Sequence, residues 1–248
     1  MRLEQAIYTS IRSDRLDGYQ LAAASDGIGD ELAKELSTWG PAHDSLWSAE
    51  PGALSINFHP LTSGQFCLSR TTLSGAEYSG RGGGRVYTQL LVLTRDALSR
   101  FANDPFLVLQ AIEAAGRLVV FDHTPASLPT IPLLGRASSP PKERVEALAE
   151  PFSADLIAEL AAAFLDDAPV AVVTNVPAER LFHAALNRLS PDDRLGVSFT
   201  TGLRPSPRRP FRVTTLPSDP TLVRQSQRLT GCKVIEALAP TPSAPAWR

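Results

Sequence analysis

The sequence predicts a mixed α/β or α+β fold, with largely antiparallel strands in the first half and a helix-rich α/β second half. Three observations carry this reading. Segments that alternate apolar and polar residues crowd the first half, a proline-rich stretch interrupts the chain at 125–141, and helix, strand and helix patterns follow one another beyond it. At 248 residues the chain is long enough to bury roughly 70 to 75% of its unfolded surface. Its 43% hydrophobic and 20% charged residues place it well away from disordered compositions.

"QAIYTS" and "GYQLAAAS" are β-prone runs separated by the polar, glycine-ended "IRSDRLDG", which predicts a hairpin with a long connection. "GDELAKELSTWG" then predicts a helix capped by Asp30, with Leu32, Leu36 and Trp39 on one face. "LSINFHP" alternates Leu54, Ile56 and Phe58 against Ser55, Asn57 and His59 until Pro60, and "GQFCLSRTT" repeats the pattern. "RVYTQLLVL" loses its alternation in its second half, as a central strand covered on both faces does. In "TRDALSRFANDPFLVLQAIEAAG" the Asp104–Pro105 pair restarts the helix, and Gly116 ends it.

Pro125, Pro129, Pro132, Pro140 and Pro141 forbid an interior helix or central strand and mark a linker or a surface crossing. "SADLIAELAAAFLDD", "PVAVVTN" and "AERLFHAALNRLS" read as helix, buried strand and helix, with His183 on the polar side of the last. "RLGVSFTTGL" and "PFRVTTLP" alternate around "RPSPRRP" and suggest an antiparallel hairpin with a basic tip. The division expected is a strand-rich subdomain over 1–124, the crossing over 125–141, a helix-rich subdomain over 142–238 and a loose tail over 239–248. The two subdomains are also compatible with one composite domain.

A formal net charge of −2 gives no global positive field for nucleic acid or anionic lipid. The charged N-terminus lacks an apolar signal core, and no stretch has the roughly 18 apolar residues of a membrane span, which points to the cytoplasm. Cys67 and Cys232 lie far apart without a CxxC, which gives no disulfide framework. The glycine-rich "YSGRGGGRVY" lacks the lysine of a phosphate-binding Walker loop. It also puts Arg85 where a dinucleotide fingerprint needs its third glycine, and a strand follows where that fingerprint needs a helix. A hairpin turn is the expected structure, with Arg81 and Arg85 free to meet an anion or a partner carboxylate.

Arg204, Arg208 and Arg209 form a second basic cluster, suited to phosphates or an acidic partner surface. No aromatic residues interleave with it, which argues against nucleic-acid stacking. His43, Asp44 and His59 are the one alternative catalytic grouping, conditional on their meeting in space. No metal-ligand spacing accompanies the four histidines and no GxSxG elbow occurs, so no catalytic residue, metal or cofactor is assigned.

Taken together, "QAIYTSIRSDRLDGYQLAAASDGI", "WGPAHDSL", "SINFHPLTSGQFCLSRT", "EYSGRGGGRVYTQLLVL" and "VSFTTGL" resemble the N-terminal domain of bacterial GTPase-associated protein 1, over most of residues 1 to about 217. The resemblance implies a non-enzymatic adaptor or regulatory domain of a bacterial signalling or conflict system, with a protein partner, a small GTPase foremost. Tyr8, Tyr19 and Tyr87, together with Arg81, Arg85, Arg204, Arg208 and Arg209, are then the candidate partner-binding side chains. The alternative is an enzyme acting on a nucleotide or another phosphorylated ligand through His43, Asp44 and His59. A scaffold that self-associates through a sheet edge is the third reading.

Overall fold

In the computed structural model, which describes residues 1–12, 17–50, 52–76 and 84–239, the first half is an antiparallel array. Strand β1 (Arg2–Ile11) pairs with β2 (Gly18–Ala24), and helix α1 (Asp30–Thr38) follows. β3 (Leu54–Pro60), β4 (Phe66–Ala76) and β5 (Gly84–Leu93) come next, and β5 closes against both β4 and β1. β5 is buried from Val86 to Leu93, and this includes its second half, Leu90 to Leu93, whose loss of alternation predicted a strand covered on both faces. One element departs locally from the sequence reading. Gly29, and not Asp30, occupies the N-cap of α1, so Asp30 lies in the first turn, where a carboxylate is still favoured by the helix dipole. Residues 77–83, with Gly80, Arg81 and Gly82, lie outside the described residues, and Gly84 already belongs to β5.

Helices α2 (Arg95–Ser99) and α3 (Pro105–Ala114) are separate because Asp104 caps the second and accepts from the Phe106 and Leu107 amides. The proline-rich crossing contributes β6 (Ile131–Pro132), which pairs with β1, and buries Leu128, Ile131 and Leu133. Beyond it come α4 (Lys142–Ala149), α5 (Ala154–Leu165), β7 (Val170–Thr174), α6 (Glu179–Leu186), β8 (Phe199–Thr200), β9 (Val213–Leu216), α7 (Pro220–Thr230) and β10 (Lys233–Ala237). The residues of the tail from 240 onward lie outside the described residues.

The sheet runs β10-β7-β9-β8-β3-β4-β5-β1-β2, antiparallel from β8 through β2 and parallel among β8, β9, β7 and β10. β8 and β9 therefore do not form the antiparallel hairpin expected from their alternation. Phe199 pairs with Val213 in parallel, because residues 201–212 cross the sheet, burying Leu203 and Phe211, and re-enter in the original direction. Alternation fixes which face a residue takes and leaves strand direction open.

One core joins both halves: Phe58, Phe66 and Phe106 from the first pack with Phe164, Phe182 and Phe199 from the second. His183 is buried in this core and not solvated. α4 and α5 both pack on α6, so the side of α6 that composition marks as polar also faces protein. There the His183 ring bonds Asp104 Oδ2 at 2.9 Å, and Asn187 Nδ2 donates to the same oxygen at 3.0 Å. Arg194, equally buried, donates to the carbonyls of Leu186 and Ala102 and lowers the cost of burying the Asp104 charge.

The antiparallel and parallel parts of the sheet meet at β3 and β8, where a buried polar row replaces apolar packing. Asn57 Oδ1 accepts from Ser55 Oγ at 2.7 Å and from Thr200 Oγ1 at 2.5 Å, while its Nδ2 donates to Ser69 at 3.0 Å and Thr71 at 3.2 Å. Thr200→Val keeps the side-chain shape but removes the donor to Asn57 and the acceptor for the Leu203 amide. It is expected to cost about 1–3 kcal/mol in urea denaturation, and an unchanged midpoint would show that the row does not stabilise the junction.

Candidate functional site

Two loops that cover one face of the sheet carry His43, Asp44, Arg204, Arg208 and Arg209: residues 40–48 after α1, and residues 201–212 between β8 and β9. Backbone pairing zips them together. Leu46 bridges Leu203, Trp47 N donates to Gly202 O at 3.1 Å, and Arg204 N donates to Ser45 O at 2.8 Å. Ser45 is the hub: its hydroxyl accepts from the Ala42 amide at 2.9 Å and from Arg209 Nη2 at 2.7 Å. Gly40 is required by close approach, since a Cβ there would stand 2.2 Å from the Tyr8 ring.

The three arginines of "RPSPRRP" therefore have different environments. Arg209 reaches inward to Ser45 and to the Arg204 carbonyl, and burial pulls its guanidinium down to about 10, which leaves it cationic at neutral pH. Arg204 is exposed, and its guanidinium lies 5.1 Å from the centroid of the Trp47 ring while Nε donates to Leu46 O at 3.3 Å. Trp47 is itself fixed by Nε1 donating to Thr215 O at 2.8 Å. Arg208 is exposed, and no side-chain partner faces it among the described residues. Arg204 is thus held on its indole, and Arg208, four residues along the same loop, is exposed, so the loop carries two cations available to a partner. Sequence reasoning found the arginines and missed Trp47 and Ser45; the only signal was the tryptophan in "SLW", three residues after the His43–Asp44 pair.

His43 Nε2 lies 3.3 Å from Asp44 Oδ2, and both line a depression of about 60 Å³ with Arg204, Leu73 and Gly84. His59 does not line it. Its ring packs edge-on against Trp39 at 5.1 Å and Phe211 at 5.5 Å, buried to 2% exposure. The structure thus brings together two of the three residues of the alternative site. Burial without a partner for Nδ1 lowers the His59 pKa from 6.5 to about 3. No group of three or more His, Cys, Asp or Glu side chains among the described residues is placed to hold a metal ion.

The tyrosines and Arg85 are used inside the fold. Tyr8 donates to Tyr19 O at 3.3 Å, and Tyr19 accepts the Val86 amide at 3.1 Å, where the β1–β5 ladder has ended. Burial raises the Tyr8 pKa. Tyr87 is 1% exposed, donates to Val119 O at 3.4 Å, and has its pKa pushed up to about 12, chiefly by burial. The expected display of Tyr87 to a partner is therefore corrected: its ring fills a small core with Ile7, Ala23 and Leu128. Arg85 is half-buried and donates to Ser74 O at 3.1 Å. Arg81 lies outside the described residues. Cys67 is fully buried, and burial, with the Glu35 charge, raises its thiol pKa, which leaves it inert as a nucleophile at neutral pH.

Fold and site together define a mixed-sheet α+β protein that presents a cationic loop junction. The first of its two sheet parts has a known relative. A family model, GTPase-associated protein 1, N-terminal domain type 2, matches residues 2–133, more than half of the chain and the whole span from β1 to β6, and the chain belongs to that family. The "VSFTTGL" block lies beyond the matched residues. No curated protein and no solved structure matches the chain. No helix among the described residues is long and apolar enough to cross a membrane.

The buried His59 makes stability depend on pH in a definite direction. Its folded pKa of about 3 is below the 6.5 of the ordinary side chain, so the unfolded chain binds the extra proton first. The stability held by neutral His59 is complete above pH 6.5 and falls as pH drops toward 3, by about 1.4 kcal/mol per pH unit. His59→Phe keeps a ring against Trp39 and Phe211, and urea unfolding at pH 7 and pH 4.5 is expected to show a smaller acid loss in this variant than in the parent. Equal losses would mean that His59 takes up its proton without unfolding.

Proposed function

We propose that this chain is a non-enzymatic adaptor or regulatory module, acting in a bacterial signalling or conflict system by binding a GTPase through Arg204, held on Trp47, and Arg208. Family membership supplies the association with GTPases, and this pair of available cations is the single observation that carries the mode of contact. Arg204 is oriented before any partner arrives, because its guanidinium is seated on Trp47 and tied to Leu46 O. An ordered guanidinium loses less side-chain entropy on pairing with a carboxylate than a free one does. Arginine and tryptophan are also among the residue types enriched at the energetic centres of protein interfaces. Arg209 supports the loop from beneath, through Ser45, and serves to position the other two.

The reading is tested with any small GTPase found encoded beside this chain, loaded in turn with GDP and with a non-hydrolysable GTP analogue. Binding is expected in at least one state by calorimetry, weakened about tenfold or more by Arg208→Glu, since reversing a rim charge replaces an attraction with a repulsion. Arg208 has no side-chain partner to lose, so the variant is expected to fold like the parent. Absence of binding in both states, or full affinity in the variant, would refute the proposal.

A further inference from the structure

A second surface, built by different elements, has the opposite balance of partners to that of the core. α2, α3 and the strap of residues 134–141 enclose an open groove of about 1170 Å³. Its shape comes from the crossing segment. Leu133 is buried, its amide donates to Met1 O at 2.9 Å, and Gly135, at φ +78°, turns the chain outward. Ala137 N then donates to Arg100 O at 2.9 Å, and Ser139 accepts from the buried Arg194 at 3.2 Å, so the strap is pinned at both ends to the helical layer.

Three arginines line the groove, Arg100 after α2, Arg136 on the strap and Arg144 on α4, and no aspartate or glutamate lines it. None of the three has an ion-pair or hydrogen-bond partner for its side chain among the described residues. Between them lies apolar surface: Leu107 and Ala111 of α3 are only partly buried, and Leu134 is 73% exposed at the rim. Unpaired guanidiniums around an apolar strip are complementary to a segment that alternates carboxylates with an aliphatic side chain. The open volume exceeds the roughly 300–1,000 Å³ of a small-molecule pocket. No exposed aromatic ring lines the groove to stack a base, since Phe101 is buried.

We propose that this groove docks an acidic, leucine-bearing segment of a protein partner, through Arg100, Arg136 and Arg144, with Leu134 and Leu107 receiving the aliphatic side chain. The proposal rests on the reading of the chain as a protein-binding module and adds a second contact with its own specificity. The two contacts are separable, because Arg208 and the groove arginines belong to different elements.

The test is fluorescence anisotropy with a labelled peptide of repeated Glu-Leu-Glu units, with labelled oligothymidine as the competing ligand class. Saturable binding to the peptide is expected, weakened by added salt as exposed ion pairs are. The double variant Arg100→Glu/Arg136→Glu is expected to lose about tenfold or more in affinity, and Leu134→Asp to weaken binding severalfold, while Arg208→Glu binds like the parent. All of these side chains are partly or fully exposed, and retained thermal melting of each variant confirms its fold. No peptide binding, equal affinity in the groove variants, or tighter binding of oligothymidine than of peptide would overturn the proposal. So would a dimer of the parent chain that Arg136→Glu dissolves, since the groove would then be filled by a second copy. If the groove variants lose the peptide while GTPase binding is intact, the two surfaces act independently; if Arg208→Glu also abolishes peptide binding, this assignment of the groove fails.

Discussion

The architecture depends on a fully satisfied amide in the middle of the sheet. Asn57 uses both lone-pair directions of its oxygen and both protons of its nitrogen, and its partners come from β3, β4 and β8. The network continues through Thr71 to Thr88 on β5 at 3.0 Å. β8 contributes only two residues to its ladder with β3, so backbone bonds alone give this junction little strength. Side-chain bonds in a water-free site supply what the short ladder lacks, and they also fix register. Sliding β8 by one residue would turn Thr200 away and leave one lone-pair direction of the buried Asn57 oxygen unsatisfied, a penalty larger than the gain from the bond itself.

That junction also determines where the functional loops can lie. Thr200 accepts the Leu203 amide at 3.1 Å, so the chain leaving β8 starts its crossing from a position held by the same hydrogen-bond row. The crossing then meets the loop after α1 and exchanges backbone bonds with it through Ser45, Trp47 and Gly202. Position accounts for the different fates of the arginines. The guanidinium that turns inward, Arg209, finds a carbonyl and a hydroxyl and becomes structural. Arg204 lies on an indole face with one bond to Leu46 O, and Arg208 is exposed, so both retain the capacity to pair with a carboxylate.

Local chemistry made the first half readable. Alternation identified β3 and β4, an unbroken apolar run identified β5, and Asp104–Pro105 separated α2 from α3 as its capping geometry requires. The same capping signal stands at Asp219–Pro220, where Asp219 accepts the Thr221 amide at 2.7 Å, and Gly231 at φ +65° ends α7; the reading passed over that helix although its punctuation was present. β10 is a short run between that glycine and the tail, and α4 has no buried residue, so neither offers a period to detect. What composition could not supply was long-range. The parallel pairing of β8 with β9, the burial of His183 against Asp104, and the seat of Arg204 on Trp47 each depend on residues far apart in the chain meeting in space.

The extent of the family match carries a structural consequence. It covers residues 2–133, which contain β1 to β6 but neither β8 nor the phenylalanines of the second half. Within the intact chain, Phe58 and Phe106 pack on Phe199, and Asp104 is hydrogen-bonded by His183 of α6 and by Asn187 just after it. Removing everything after 133 would bare the β3 edge, take Thr200 from Asn57 and take His183 and Asn187 from Asp104, and expose the face on which Leu68 and Leu91 now lie buried. The family segment thus provides the antiparallel sheet, and the remainder of the chain closes it. Arg204 and Arg208 also belong to that remainder, as do Arg136 and Arg144 of the groove. The family-matched portion therefore acts as the floor, while most of the cations offered to partners are supplied by the part that seals it.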